Sequence, residues 1–410
     1  MPVRVAARVR ERVGGLSAAT RDTTREQLLV TAGQLTAGVG NLAFSLVAAR
    51  LLEPRDFAQL TAFLSLYLLV HLPTGSLSAG GALDPDHART LRRRIATSGL
   101  VVFAAALVLA VPLAHLLRLP VVVVLVLAAT VPAAGMLALE RGSLYGQGGH
   151  RRAAASLVTE PLARLSVGVA LAAWLGATGG ALGVVLAGYA AWFVAGWRRS
   201  RTAETPAAAP QSRRRGLGAT MVVFLLLAVL QKQDMLLANR LLDDLDAALF
   251  AVVATIGGAA AFATVTIPTV LLPRAADRTS HALAIALGLA AALGLGTVAV
   301  IAIAPEQIVG AVFGSRYAAA GPLAVPYVAA MAVFGVVRVL VAHRCANGAG
   351  RHLVVGLGLV AVAHATAIAV FATTPVDVVT VTVAAILATL AVVLGPLALA
   401  RVRRHDEGRG

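Results

Sequence analysis

Arg50-Leu51-Leu52-Glu53-Pro54-Arg55-Asp56-Phe57-Ala58 returns, recognisably, as Arg240-Leu241-Leu242-Asp243-Asp244-Leu245-Asp246-Ala247-Ala248. Both stretches read Arg-Leu-Leu-acid, with an Asp and an Ala at the same later positions, 190 residues apart. Each follows an apolar run long enough to cross a bilayer. Two further pairs keep the order. Arg89-Thr90 matches Arg278-Thr279 at an offset of 189, and Gly146-x-Gly148-x-His150 matches Gly348-x-Gly350-x-His352 at 202. Each match alone is weak. Three in one order, each between corresponding apolar runs, indicate an internal duplication.

The runs themselves can be placed outward from these marks. Apolar spans read at 27–49, 57–82, 95–117, 119–139, 155–175 and 179–197. A second set reads at 217–238, 247–272, 282–304, 322–342, 353–372 and 378–400. Between the third and fourth spans only Arg118 and Pro120 mark a turn. The 410 residues are 59% hydrophobic and 13% charged, with a mean hydropathy of +0.83. A soluble domain would carry about twice that charge. The expectation is an all-α integral membrane protein of about twelve transmembrane helices. An even number per repeat makes the two sets of six parallel, as in transporters that bind substrate between lobes.

The net charge of +16 could suggest a nucleic-acid partner, but arginine placement gives another explanation. With the N-terminus inside, six arginines fall in 1–26 and six in 198–216. The other loops on that side and the C-terminus bring the count to 27 of the 35 basic residues. Arg50, Arg55, Arg118, Arg240 and Arg316 are the five outside. Loops held in the cytoplasm are rich in Arg and Lys. The bias therefore predicts both termini in the cytoplasm of an inner (plasma) membrane protein, and no nucleic-acid partner. The expected organisation is a basic segment 1–26, an N-lobe 27–197, a linker 198–216, a C-lobe 217–400 and a tail 401–410. No cleavable signal peptide is expected, and the single Cys345 allows no internal disulfide.

Ionisable side chains inside spans are costly in lipid, about 2.5–3.5 kcal/mol on insertion scales, and usually face a cavity or a partner. Glu160 and Arg164 are four apart in span five and share a helix face. Lys232 and Asp234 in span seven are two apart and point differently. Arg338 lies in span ten. Gln34 and Asn41 share a face of span one, and Gln231 is the repeat equivalent of Asn41. One reading is a net-basic cavity between lobes, suited to phosphate or pyrophosphate and sugar hydroxyls. The other is self-neutralised pairs, Glu160 with Arg164 and Asp234 with Lys232 or Arg338, or long side chains snorkelling to an interface. Pro161, beside Glu160, suggests a bend in span five.

Several chemistries lack their residues. The only lysine stands in Gln231-Lys232-Gln233, so no Walker A loop exists, and no HExxH occurs among nine histidines. Asp84-Pro85-Asp86 reads as a turn. No metal, cofactor or catalytic centre is expected.

Span one followed by Ala48-Ala49-Arg50-Leu51-Leu52-Glu53-Pro54-Arg55-Asp56-Phe57 resembles the "ARxLGPxxFG" signature of polysaccharide biosynthesis flippases. These belong to the multidrug/oligosaccharidyl-lipid/polysaccharide exporter superfamily. Asp234-Met235-Leu236-Leu237-Ala238-Asn239 is similar to that family's seventh helix. Ala304-Pro305-Glu306-Gln307-Ile308 with Val312-Phe313-Gly314-Ser315-Arg316-Tyr317 is similar to its element before helix ten. Glu53 and Ala58 stand where the family has Gly. The resemblance implies a two-lobed transporter moving polyprenyl-diphosphate-linked oligosaccharide, or a related cell-envelope glycan precursor, by alternating access. Its implied partners are the lipid-linked glycan, membrane lipid, and glycosyltransferases or a polymerase of the same pathway. Two alternatives stay open. One is a small-molecule exporter of the same superfamily; a major facilitator is disfavoured because Asp84–Arg94 lacks its GxxxDRxGRR loop. The other is a membrane component of an envelope polysaccharide assembly complex. A membrane glycosyltransferase is disfavoured by the short outer loops.

Overall fold

The computed structural model describes residues 29–30, 32–71, 85–196, 217–263, 280–347 and 350–407. The segments expected at 1–26 and 198–216 lie outside these, as do Asp84, Arg274, Arg278 and Gly348. Every regular element among the described residues is helical. The N-lobe holds α1 (Ala32–Leu51), α2 (Pro54–His71), α3 (Pro85–Leu117), α4 (Val121–Gly146), α5 (His150–Ala163) and α6 (Val169–Gly196). The C-lobe holds α7 (Leu217–Leu241), α8 (Asp244–Ala263), α9 (Ser280–Ile303), α10 (Gly321–Ala346), α11 (Gly350–Phe371) and α12 (Pro375–Glu407). A short helix Pro305–Phe313 and a 3-10 turn Ser315–Ala320 precede α10.

Among the described residues ten helices are long and apolar enough to cross a membrane. One of these, His150–Gly196, is in fact two antiparallel spans. The helix reverses at Gly176, whose φ of 62° is open to glycine without steric cost. A Cβ there would also meet Asp56 Oδ2 at 2.4 Å. Below the turn the two arms pack backbone to backbone: a Cβ on Gly183 would lie 2.2 Å from Gly168 Cα. Small residues permit such close approach in lipid, where helix association depends on packing. Adding α2, whose Arg55, Asp56, Gln59 and His71 lower its mean hydropathy, gives twelve spans.

The duplication is visible in the packing. In the N-lobe α3 packs on α4, α4 on α6, and α5 on α6; in the C-lobe α9 packs on α10, α10 on α12, and α11 on α12. The α1–α5 contact, where Gly40 faces Pro161, has its counterpart in α7–α11. The lobes meet mainly where α2 lies against α7 and α8.

Boundaries moved in three places. The third span starts at Pro85, so Arg89–Arg94 lie on a helix and not in a loop. The twelfth runs to Glu407, through most of the expected tail. Pro305–Gly321, left between the ninth and tenth spans, is mostly helical. The faint division between spans three and four is real. Leu119 N–H bonds to Ala114 O (3.0 Å) and Arg118 N–H to His115 O (3.4 Å), a Schellman end. Its left-handed position is held by Arg118 (φ 53°) where glycine is usual.

Candidate functional site: paired polar clusters between clasped lobes

At one end of the bundle the lobes are tied by side chains that reach helix C-termini in the opposite lobe. Carbonyls of a helix's last turn have no intrahelical donor. Arg316 donates to the carbonyls of Ala49 (2.6 Å) and Leu52, at the end of α1. Arg118 donates to Leu242 O (2.7 Å) at the end of α7, the repeat counterpart of α1, and lies 3.8 Å from Asp244. Asn239 donates to Leu117 O (2.9 Å) at the end of α3. Arg50 donates to Ala311 O and to Val312 O (2.9 Å) at the end of the short helix. Each lobe thus caps two helices of the other, and the cations also complement the negative helix ends. Phe57 and Tyr317 pack across the same seam, ring centroids 5.8 Å apart.

About 15 Å along α1 from this end lies the N-lobe cluster, near the middle of a bilayer core roughly 30 Å thick. Arg164 is buried (4% exposed) and its partners surround it. It donates to Glu160 Oε1 (2.6 Å) and Asn41 Oδ1 (2.8 Å), and its guanidinium lies 4.9 Å from the Tyr67 ring centroid. Tyr67 Oη donates to Glu160 Oε1 (3.2 Å). Arg141 donates to Glu160 Oε2 (3.3 Å) and Ser156 Oγ (2.8 Å). Two cations therefore share one carboxylate, and α1, α2, α4 and α5 are knitted around it. The backbone turns at this point: Arg164–Gly168 is a π turn directly after the Glu160-Pro161 pair. A π turn admits one extra residue and re-aims the side chains that follow it.

The C-lobe cluster is arranged differently. Asp234 is fully buried but makes no ion pair among the described residues; it accepts from Tyr327 Oη (2.6 Å) and from the Met235 N–H (2.7 Å). Lys232, half-buried, points elsewhere, its Nζ beside Gly258 of α8, where a Cβ would be 3.6 Å away. It makes no hydrogen bond or ion pair among the described residues. Arg338, also half-buried, donates to Gln231 Oε1 at 3.3 Å. Lys232 is within electrostatic reach of both Asp234 and Arg338.

Snorkelling does not describe Arg338. Side chains lean toward the N-terminus of their helix, and for α10 that end is the clasped one. The Arg338 guanidinium accordingly reaches the level of Gln231, ten residues before Leu241 or about 15 Å in from the end of α7.

Of the residues singled out from sequence, the structure joins Asn41, Glu160 and Arg164 in one hydrogen-bonded cluster, whereas Lys232 lies within electrostatic reach of Asp234 and Arg338 with no hydrogen bond among the three. Gln34 stands seven residues from Asn41 on α1, half-buried and outside both hydrogen-bond networks. The repeat-equivalent amides play one role: Asn41 accepts from Arg164, and Gln231 from Arg338. Sequence reading did not find Tyr67, Arg141, Ser156 or Tyr327. Tyr67 and Tyr327 are aromatics in apolar spans and carry no distinguishing pattern. Arg141 sits at a span edge, where arginine is ordinary. A third polar chain, Gln233 to His364 (2.7 Å) to Thr382 (3.1 Å), joins α7, α11 and α12 inside the C-lobe. Among the described residues no group of three His, Cys, Asp or Glu could hold a metal ion.

Comparison with known proteins places this architecture. No protein-family model matches the chain, and no curated protein matches it. Solved structures do. A structure of the lipid II flippase MurJ, in an inward closed conformation, superposes with a TM-score of 0.71 at 12% identity, covering 90% of this chain and 87% of that one. An inward-facing multidrug resistance MATE family transporter of the MOP superfamily gives 0.56 at 16% identity, covering 93% and 99%. A MOP superfamily transporter from Pyrococcus furiosus gives 0.55 at 17% identity, covering 93% and 95%. At these identities the likeness shows a shared fold: a helical membrane protein of about twelve spans in two repeats.

Proposed function

We propose that this protein is a flippase that carries a polyprenyl-diphosphate-linked oligosaccharide, or a related cell-envelope glycan precursor, across the inner membrane by alternating access. The observation that carries the reading is the pair of basic, mid-membrane clusters, one per lobe, lying behind a seam closed at one end only among the described contacts. Each cluster has one more cation than carboxylate. A surplus of positive charge at that depth suits a ligand whose anionic group must pass the apolar core. The sequence resemblance to polysaccharide flippases and the fold shared with a lipid II flippase support the same substrate class. Both termini are placed in the cytoplasm by the arginine distribution, which makes the clasped end the external one. No catalytic step is assigned to the chain.

The shared fold with multidrug transporters favours a second reading, export of a small molecule. The cationic clusters count against organic cations as its cargo, because like charge in a low dielectric repels. Depleting the protein and analysing lipid extracts by mass spectrometry tests the first reading. Accumulation of a lipid-linked saccharide, reversed by the intact gene, is the expected result. An unchanged lipid-linked pool with altered drug susceptibility would replace it with the second reading.

A further inference from the structure

The two clusters have equal formal charge but unequal freedom. In the N-lobe each guanidinium is already chelated: Arg164 by Glu160 and Asn41, and Arg141 by Glu160 and Ser156. An incoming anion would have to displace a carboxylate that three helices hold in place. In the C-lobe the carboxylate is withdrawn from its cations, because Asp234 is occupied by the Tyr327 hydroxyl and a backbone N–H. Lys232 Nζ has no partner among the described residues, and Arg338 has one amide oxygen at 3.3 Å. Both are half-buried at mid-membrane depth, on α7 and α10, and Arg338 reaches across to Gln231, the residue next to Lys232.

From this asymmetry we infer that Lys232 and Arg338 form the subsite for the phosphate or diphosphate group of the ligand, with the N-lobe arginines serving as a structural core. This deepens the flippase reading and rests on it for the identity of the lipid, though not for the anion chemistry. Lys232 supplies a point charge with three donors and Arg338 a planar fork, a combination suited to a polyanion with several acceptor oxygens. Gln231 orients the fork, as Asn41 orients Arg164. The ligand is therefore polarised across the lobes. Its charged group lies against α7 and α10, and its neutral polar portion faces the exposed amide of Asn41 on α1.

The test uses the full-length protein in nanodiscs of zwitterionic lipid, with inorganic pyrophosphate, undecaprenyl diphosphate and uncharged undecaprenol as probes. Binding is measured for wild type, Lys232→Gln, Arg338→Gln, their double variant and Glu160→Gln/Arg164→Leu, with thermal unfolding followed in parallel. The expected result is that the double variant keeps its fold and its undecaprenol binding but loses roughly tenfold or more in affinity for both diphosphates. The N-lobe variant loses thermal stability while retaining preference for undecaprenyl diphosphate over undecaprenol. Wild-type affinity for pyrophosphate that persists in the double variant overturns the subsite, as does no pyrophosphate binding at all. Pyrophosphate binding that depends on Lys232 and Arg338, with undecaprenyl diphosphate no better than undecaprenol, upholds the subsite and removes the glycan-lipid reading. If the double variant fails to fold, the single variants decide: diphosphate preference kept by Lys232→Arg and Arg338→Lys but reduced in Lys232→Gln and Arg338→Gln supports the subsite, and any other pattern refutes it.

Discussion

Glu160 is the shared acceptor of the N-lobe cluster. Its two oxygens accept from Arg164, Arg141 and Tyr67, and so from three other positions on three helices. Removing one partner of a buried pair leaves an uncompensated charge, at a cost of about 3 kcal/mol or more. Glu160→Gln is therefore expected to lower the unfolding temperature sharply in detergent. Tyr67→Phe removes a single hydrogen bond and should cost about 1 kcal/mol. Equal melting temperatures for the two variants would contradict the network. The pairing of Glu160 with Arg164 was readable from their spacing of four. That Asp234 would decline its neighbour Lys232 and bond to Tyr327 was not. Tyr327 is 93 residues away, and only the packing of α10 against α8 brings its hydroxyl there.

Among the elements, the α5–α6 hairpin and the α3–α4 turn make opposite demands on glycine. At Gly183 a Cβ would strike the backbone at Gly168 Cα, and no side-chain rotation can relieve that. Gly183→Ala should push the two arms apart and reduce the yield of folded protein. Gly288→Ala on α9 meets nothing within 4 Å and should be neutral or stabilising, by up to about 1 kcal/mol from helix propensity. Comparing the two by size-exclusion profile and melting temperature checks the hairpin packing. At Arg118 the left-handed backbone costs a non-glycine residue about 1–2 kcal/mol. The side chain offsets this by capping α7 in the other lobe. Arg118→Gly should leave or raise the melting temperature while loosening the contact between lobes. A pattern search for helix ends finds Gly148, left-handed after α4 (φ 73°), but has no reason to place an arginine in that role.

Across the whole molecule the clasp predicts a conformational equilibrium. Its acceptors are backbone carbonyls at helix ends, so substitution of the accepting residue leaves them in place, and only loss of the donors opens the seam. Spin labels at the exposed positions Glu53 and Leu245, in a Cys345→Ser background, report the separation of the lobes at that end. Arg50→Ala with Arg316→Ala should shift the distance distribution to longer values. An unchanged distribution would mean that α2 against α7 and α8 holds the lobes without the arginines. The orientation is checked separately. A membrane-impermeant maleimide applied to intact cells should label a cysteine at Glu53 and spare one at Gln147.

The span count, the two parallel sets of six and the expected orientation follow from hydropathy, a repeat 190 residues long and the placement of arginine. These are properties a chain acquires from its solvent: lipid requires apolar runs of a set length, and charge keeps loops on one side. The Arg50-Leu51-Leu52 and Arg240-Leu241-Leu242 stretches were legible as a duplication for that reason. What they do diverged. Arg50 caps a helix of the C-lobe, while α7, which ends at Arg240-Leu241, is itself capped by Arg118. The pairing of Arg164 with Glu160 belongs to the sequence, because four residues bring both to one helix face. That Arg141 joins them, and that Asp234 bonds to Tyr327 and leaves Lys232 open among the described residues, was decided by tertiary structure alone, because residue spacing along one helix carries no information about helices that pack beside it.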